Sequence, residues 1–305
     1  MSEIKKILIV GLGAIGSIYA VKFEDAGFYV KVLVDDSRFN RYQQDGVIFN
    51  SKRYDFDYIL PQSKKDSFDL IIIATKAYDL DNAIEMVGNF VGENTIILSL
   101  LNGISSEENI AKKFGWDKLL YSYYIGHASI KLGNNVAYDG VGKVVFGEAD
   151  NTELSNNVLR VKNVFEKANI DYQIPQDMIS AMWKKFVINI GINQTSAVLG
   201  ADYGMLQNSH NALSVADTLM KEAISVAQAL GVNGSDTFIQ EAFALIKNMP
   251  PELKSSMLQD VEAKRRTEVD IFAGTLCNLA QNCSIEVPKN KLIWQIISSF
   301  DEALL

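Results

Sequence analysis

Residues 182–193 read MWKKFVINIGIN and set Lys185, Asn189 and Asn193 at successive intervals of four. On a helix of 3.6 residues per turn such positions form one slowly drifting stripe, so an ammonium group and two amides share a face. Phe186 and Ile190 flank that stripe on one edge, Ile188 and Ile192 on the other, and Trp183 and Val187 fill the back. A helix apolar nearly all round expects burial. Buried amides and ammonium groups without partners cost several kcal/mol each, so the stripe predicts a polar group that meets it.

A second set of residues fits a phosphate. GLGAIG, spanning Gly11, Leu12, Gly13, Ala14, Ile15 and Gly16, follows a strand-like run and opens a helical one. In that setting the first glycine permits a tight turn, the second lets the backbone approach a pyrophosphate and the third permits close helix packing, with the helix N-terminus facing the phosphates. Asp35 and Asp36 end the next strand-like run, about 20 residues on, where an acidic residue accepts hydrogen bonds from an adenosine ribose. A carboxylate there also repels a 2'-phosphate. Two like charges ~4 Å apart at an effective dielectric of ~20 interact by roughly 4 kcal/mol, an upper bound for an exposed edge. The arrangement favours NADH, with Arg38 close enough to offset part of the repulsion.

Two further loops leave the carboxyl ends of strand-like runs, where open α/β sheets bind ligands. Thr75, Lys76 and Ala77 follow FDLIIIA, and Asn102 and Gly103 follow NTIILSLL; each also reads as a plain turn. His127 reads as a hydrogen-bonded structural residue near a strand end and His210 as a surface residue at a helix start. Two histidines make a histidine acid or a metal site a poor expectation, and no metal is predicted. In SSMLQDVEAKRRTEVD, residues 255–270, periodicity sets Asp260, Lys264 and Glu268 one helical turn apart, as a row of surface ion pairs would be.

These residues need elements to hold them. Up to about residue 175, the runs IKKILIV, FYVKVLV, FDLIIIAT and NTIILSLL alternate with the helical patterns SIYAVKFEDAG, LDNAIEMVGNF and SSEENIAKKFG. Dense Ile, Val and Leu without alternation mark strands covered on both faces. The pattern predicts an α/β fold, a Rossmann-like doubly wound sheet over residues 1–175. YSYYIGHASIKL, NNVAYD and KVVFGE would extend it with antiparallel or mixed strands, before a helix over 154–168 and a strand near 171–174. Residues 176–305 predict an all-α domain, with helices over 177–199, 211–230, 235–248, 258–282 and 288–303.

Composition narrows the partners. The chain has 305 residues, 48% of them hydrophobic and 22% charged, which are globular values. A net charge of -8 offers no basic footprint for nucleic acid or an anionic membrane. The apolar run after Lys5 and Lys6 is shorter than the ~20 residues that span a bilayer, and no clean cleavage site follows it. Cys277 and Cys283 fit neither a zinc pair nor a disulfide framework. The expectation is a cytoplasmic protein that binds small molecules.

Taken together, GLGAIG, TKA, LLNG, WKKFVINIGIN, SSMLQDVEAKRRTEVD and the closing VPKNKLIW resemble, in order and spacing, the ketopantoate reductase (2-dehydropantoate 2-reductase) family over nearly the whole chain. The resemblance implies reduction of the 2-keto group of ketopantoate to (R)-pantoate, in pantothenate and coenzyme A synthesis, with NADP or NAD as cofactor. It implies Lys185 as the general acid, with Asn102, Asn189, Asn193 and Ser256 holding the substrate. Glu268 would bind the 4-hydroxyl and orient Lys185, and Lys76 would lie near the nicotinamide. On this resemblance the polar stripe of 185–193 faces a cleft between the domains, where substrate supplies its partners, and a homodimer is possible. Many family members carry a basic residue in place of Asp35 and use NADPH, while NAD-dependent relatives reduce other branched or aromatic 2-keto acids to D-2-hydroxy acids. That second activity is the alternative reading, followed by a nucleotide sensor without turnover.

Overall fold

In the computed structural model, which describes residues 3–126 and 130–304, the chain divides into two units. One comprises Met1–Asn102 and Ser106–Met178, the other Gly103–Ser105 and Ile179–Leu305. The short excursion at 103–105 was not expected from sequence.

The first unit runs β1 (Lys6–Val10), α1 (Ala14–Asp25), β2 (Tyr29–Leu33), α2 (Asp36–Asp45), β3 (Val47–Phe49), β4 (Lys52–Tyr54), β5 (Asp57–Ile59), β6 (Phe68–Ile73), α3 (Leu80–Met86), β7 (Val91–Ser99) and α4 (Ser106–Phe114). It continues through β8 (Leu119–Gly126), β9 (Ile130–Leu132), β10 (Asn135–Ala137), β11 (Gly142–Gly147), α5 (Asn156–Lys167) and β12 (Tyr172–Gln173). The main sheet has the order β12-β11-β8-β7-β6-β1-β2-β5. From β5 to β8 every pairing is parallel; β11 is antiparallel to β8 and β12 parallel to β11. Successive side chains alternate between faces, which explains the unbroken apolar runs. Ile7, Ile9, Ile72 and Leu98 pack with Tyr19, Phe23, Val161 and Phe165 of α1 and α5. Leu8, Val10, Ile71 and Ile97 pack with Leu80, Ile84 and Ile110 of α3 and α4. Strand order reverses between β1 and β6, the position where such sheets bind ligands.

NNVAYD does not extend the main sheet: β9 and β10 join β3 and β4 in a separate sheet of order β4-β3-β10-β9. β8 already has β7 and β11 as neighbours, and the hairpin of β3 and β4 offers β10 a free edge. That hairpin turns at Asn50 and Ser51, both with positive φ (45° and 70°), as tight hairpin turns require. Its strands are too short for a periodic signal.

The second unit is helical: α6 (Met178–Leu199), α7 (Tyr203–Asn208), α8 (His210–Ala229), α9 (Phe238–Asn248), α10 (Ser256–Glu262), α11 (Thr275–Asn282) and α12 (Pro288–Glu302), with a π-helical turn at Asp270–Gly274. The continuous helix expected over 258–282 is therefore wrong. α10 stops at Glu262, Lys264 takes a left-handed φ of 51°, and the chain runs without helix to the π turn. Asp260, Lys264 and Glu268 thus form no row of ion pairs. Asp260 is buried and accepts from the Arg265 Nε at 2.9 Å. Helix-forming residues are overridden by tertiary bonds, which is how propensity fails.

α12 begins without a side-chain cap of its own. Glu222 of α8 supplies one, accepting from the backbone N–H of Lys289 at 3.1 Å and of Asn290 at 2.9 Å, and from the Asn290 side chain at 2.9 Å. Helix N-termini leave unsatisfied N–H groups and favour negative charge. Glu222→Ala should cost about 2 kcal/mol, the scale of hydrogen bonds to a charged group, read as a lower urea midpoint; an unchanged midpoint would show α12 to be held by packing alone.

Candidate active site

In the first unit, β1, β6 and β7 end side by side: Ala74 donates its N–H to Val10 and Leu100 donates to Ile73, each at 2.8 Å. The loops leaving these ends carry Gly11–Gly16, Thr75–Lys76 and Asn102, so the structure brings these sequence-predicted residues to one sheet edge. Gly11 has φ +94°, and a Cβ there would lie 2.8 Å from the Ala74 oxygen. A Cβ on Gly16 would lie 1.8 Å from the Gly11 oxygen, so α1 sits directly against the turn. Leu12 is buried in the core, while Ala14 and Ile15 open α1 half-buried. Gly13 is exposed and its Cβ would meet only the Ala74 oxygen, at 3.6 Å.

This cradle fits a dinucleotide pyrophosphate. The first turn of α1 has neither a side-chain cap nor an acidic residue, leaving its N–H groups and positive dipole end for an anion. The buried Thr75 Oγ1, beside Gly11, has no hydrogen-bond partner, and such orphans are rare without a ligand or water. Lys76 is half-buried and starts the 3-10 turn Ala77–Asp79; Asn102 is also half-buried, just beyond β7.

Asp35 stands where β2 ends and does two things. Its carboxylate caps α2, accepting from the Arg38 N–H at 2.8 Å and the Ser37 hydroxyl at 2.6 Å, and pairs with the Arg38 guanidinium at 3.5 Å. Burial raises its pKa, but the Ser37 hydroxyl, the Arg38 amide and the Arg38 charge together hold it below the ordinary carboxylate value. The helix it caps was not read from sequence, because DSRFNRYQQD buries only Tyr42.

In the second unit α6 carries Lys185 and Asn189 half-buried and Asn193 buried at 7% exposure. The flanking Phe186, Ile190 and Ile192 are buried, as are Trp183 and Val187. Phe186 stacks on Phe272 of the π turn at 6.3 Å between ring centroids. That contact brings the π turn, which begins two residues after Glu268, against α6. Glu268 is itself half-buried between the buried Thr267 and Val269. Gly103, which belongs to this unit, approaches the same turn: a Cβ on it would lie 3.5 Å from the Ile271 Cβ and carbonyl oxygen. Ser256 is exposed in the first turn of α10, whose cap is the buried Ser255.

His127 lies outside the described residues, and His210 is an exposed first residue of α8. Cys277 and Cys283 are free thiols, with burial pushing the Cys277 pKa up. Among the described residues, no group of three or more His, Cys, Asp and Glu side chains could hold a metal ion, and no helix is long and apolar enough to cross a membrane.

Comparison with known proteins agrees with this arrangement. Residues 7–151 match the family model described as ketopantoate reductase PanE/ApbA, and residues 177–301 match that of its C-terminal part. A Pyrococcus horikoshii protein named 2-dehydropantoate 2-reductase is 28% identical over 296 residues, 96% of this chain and 97% of its own. Among solved structures, the ternary complex of D-mandelate dehydrogenase with NADH and anilino(oxo)acetate superposes with a TM-score of 0.88 at 20% identity, covering 98% of this chain and 99% of its own. A dimeric ketopantoate reductase from Staphylococcus aureus gives 0.81 at 19% identity, covering 98% and 100%. At such identities the structural likenesses speak for the fold. The family models span both the glycine-rich turn and the polar stripe of α6, and on that ground the chain belongs to the ketopantoate reductase family of oxidoreductases.

Proposed function

We propose that this chain reduces 2-dehydropantoate to (R)-pantoate, with Lys185 as the proton donor. What supports the reading is α6: an ammonium and two amides in line on a helix whose flanking Phe186, Ile190 and Ile192 are buried, with the π turn that follows Glu268 packed on the same helix through the Phe186–Phe272 contact. The Gly11–Gly16 turn would hold the pyrophosphate of a nicotinamide dinucleotide, which would supply the hydride. Negative charge then builds on the ketone oxygen, where the Lys185 ammonium stabilises it and gives up a proton. Asn189 and Asn193 donate to the substrate's oxygens, as does Asn102; Ser256 and Glu268 bind the carboxylate and hydroxyl ends. A homodimer goes with this reading and is checked by sedimentation.

Asp35 favours a second reading, an NADH-dependent D-2-hydroxy acid dehydrogenase with the same acid and a different side-chain pocket. A protein of the same fold, a D-mandelate dehydrogenase, is known in complex with NADH. Steady-state rates with ketopantoate, phenylglyoxylate and 2-ketoisocaproate, each with NADH and NADPH, separate the two. The first reading expects ketopantoate to be the best substrate, and a higher kcat/KM for phenylglyoxylate overturns it.

Cofactor choice has its own test. Asp35→Asn keeps an oxygen to cap α2, since Asn caps as well as Asp, but removes the charge. Attenuated by solvent at a site whose side chain is 35% exposed, the lost repulsion should raise the NADPH to NADH ratio of kcat/KM about tenfold, or ~1.4 kcal/mol. With its pKa held low, the wild-type carboxylate stays charged over about pH 6 to 8, so the NADH preference should be flat there. A preference for NADPH in the wild type ends the argument from Asp35.

A further inference from the structure

The closing helix α12 has no part in the chemistry above, yet two of its side chains, Trp294 and Asp301, are seven residues apart and so lie on one face. Both reach the segment that carries Glu268. Thr267 donates its backbone N–H to one Asp301 oxygen at 2.9 Å and its hydroxyl to the other at 2.7 Å. Trp294 donates its indole Nε1–H to Asp270 at 2.9 Å. The second Asp270 oxygen takes the Arg266 guanidinium at 3.4 Å. Glu268 therefore sits in a stretch fastened to one rigid helix on both sides, at Thr267 and at Asp270.

The π turn begins at Asp270. Such turns widen a helix by one residue and recur at functional sites. Here Gly274 makes room for the same indole, since a Cβ on it would lie 3.3 Å from the Trp294 ring. Thr267 and Val269, on either side of Glu268, are both buried. A free glutamate loses side-chain entropy when it is ordered; one whose backbone is already fixed loses less.

We propose that Trp294 and Asp301 are positioning residues for Glu268, and that through it they set the preference for a keto acid bearing a hydroxyl on carbon 4. The proposal rests on the reading of Glu268 given above. The discriminating pair of substrates is ketopantoate and 3,3-dimethyl-2-oxobutanoate, the same skeleton without the hydroxyl. Asp301→Ala and Trp294→Phe should each lower kcat/KM for ketopantoate by roughly 10- to 100-fold, the cost of a misplaced group about 1 Å off, while the analogue changes less than about twofold. Asp301→Asn should recover most of the loss, because its amide can both accept from the Thr267 N–H and donate to the Thr267 hydroxyl. In a Glu268→Gln background the two losses should vanish, the signature of residues acting through one partner.

If Glu268→Gln itself fails to discriminate between the two keto acids, the reading of Glu268 falls and takes the proposal with it. If Glu268→Gln discriminates but Asp301→Ala and Trp294→Phe lower both substrates equally, or add fully to Glu268→Gln, the proposal alone is overturned. Trp294→Phe removes the indole N–H while keeping an aromatic ring on α12, so one arm of the test remains should Asp301→Ala fold poorly.

Discussion

Lys185→Ala is expected to lower kcat by about 10^3- to 10^5-fold while NADH affinity stays within about twofold. A positioned general acid contributes about 10^2 to 10^4, and a donor aimed at a developing oxyanion about 10^2 to 10^3. Because one ammonium performs both tasks, the effects overlap rather than multiply, and the expected loss corresponds to about 4 to 7 kcal/mol of barrier. Unfolding will not mimic it. Lys185 is half-buried, the helix is anchored by Trp183, Phe186, Val187 and Ile190, and alanine is the better helix former. Lys185→Arg sharpens the result: a guanidinium keeps the charge but does not release its proton near neutral pH. Its rate should fall nearly as far as that of the alanine variant. A Lys185→Ala enzyme within tenfold of wild type would remove the acid from the mechanism.

The same helix shows why part of the site was legible in the sequence. The period of 3.6 is a local property, so 185, 189 and 193 fall on one face whatever surrounds them. The glycine-rich turn is legible for a like reason: the approach of Gly16 to Gly11 is settled within six residues. Strands β1, β2, β6 and β7 could be read because burial on both faces leaves no polar alternation. Illegible were elements decided at a distance. The strands of the second sheet are three residues long and depend on β10 meeting β3. α2 is polar and rests on its Asp35 cap, a residue whose side chain was read for its ligand alone.

Glu268 lies where the expected helix over 258–282 fails. Its i+4 relation to Lys264 and Asp260 looked like helix surface, and the run EAKRR favours helix by propensity. The break comes from residues far along the chain, Asp301 taking Thr267 and Trp294 taking Asp270, together with Asp260 capturing Arg265. No local window of sequence contains both halves of the two bonds to α12. Family resemblance supplied the residue, and tertiary structure supplies the reason it is not on a helix.

Substitutions at Gly16 and Gly13 should separate fold from cofactor binding within the turn. Gly16→Ala places a Cβ 1.8 Å from the backbone oxygen of Gly11, which no rotamer can relieve. α1 must move away from β1 by more than an ångström, at a cost of about 3 kcal/mol or more, and its N–H groups leave their aim. NADH affinity should then drop on the order of 100-fold and the urea midpoint should drop with it. Gly13 differs, with φ -67° and ψ -168°, a backbone that any L residue accepts, and 3.6 Å of clearance to Ala74. Gly13→Val should leave the unfolding free energy within about 0.5 kcal/mol, yet fill the space through which a pyrophosphate reaches the backbone. Its NADH dissociation constant should rise at least about tenfold, or ~1.4 kcal/mol. Isothermal titration beside denaturation gives both numbers for each variant. Undiminished NADH binding by Gly13→Val would mean that the cofactor does not lie on this turn, and the hydride donor would have to be sought elsewhere in the first unit.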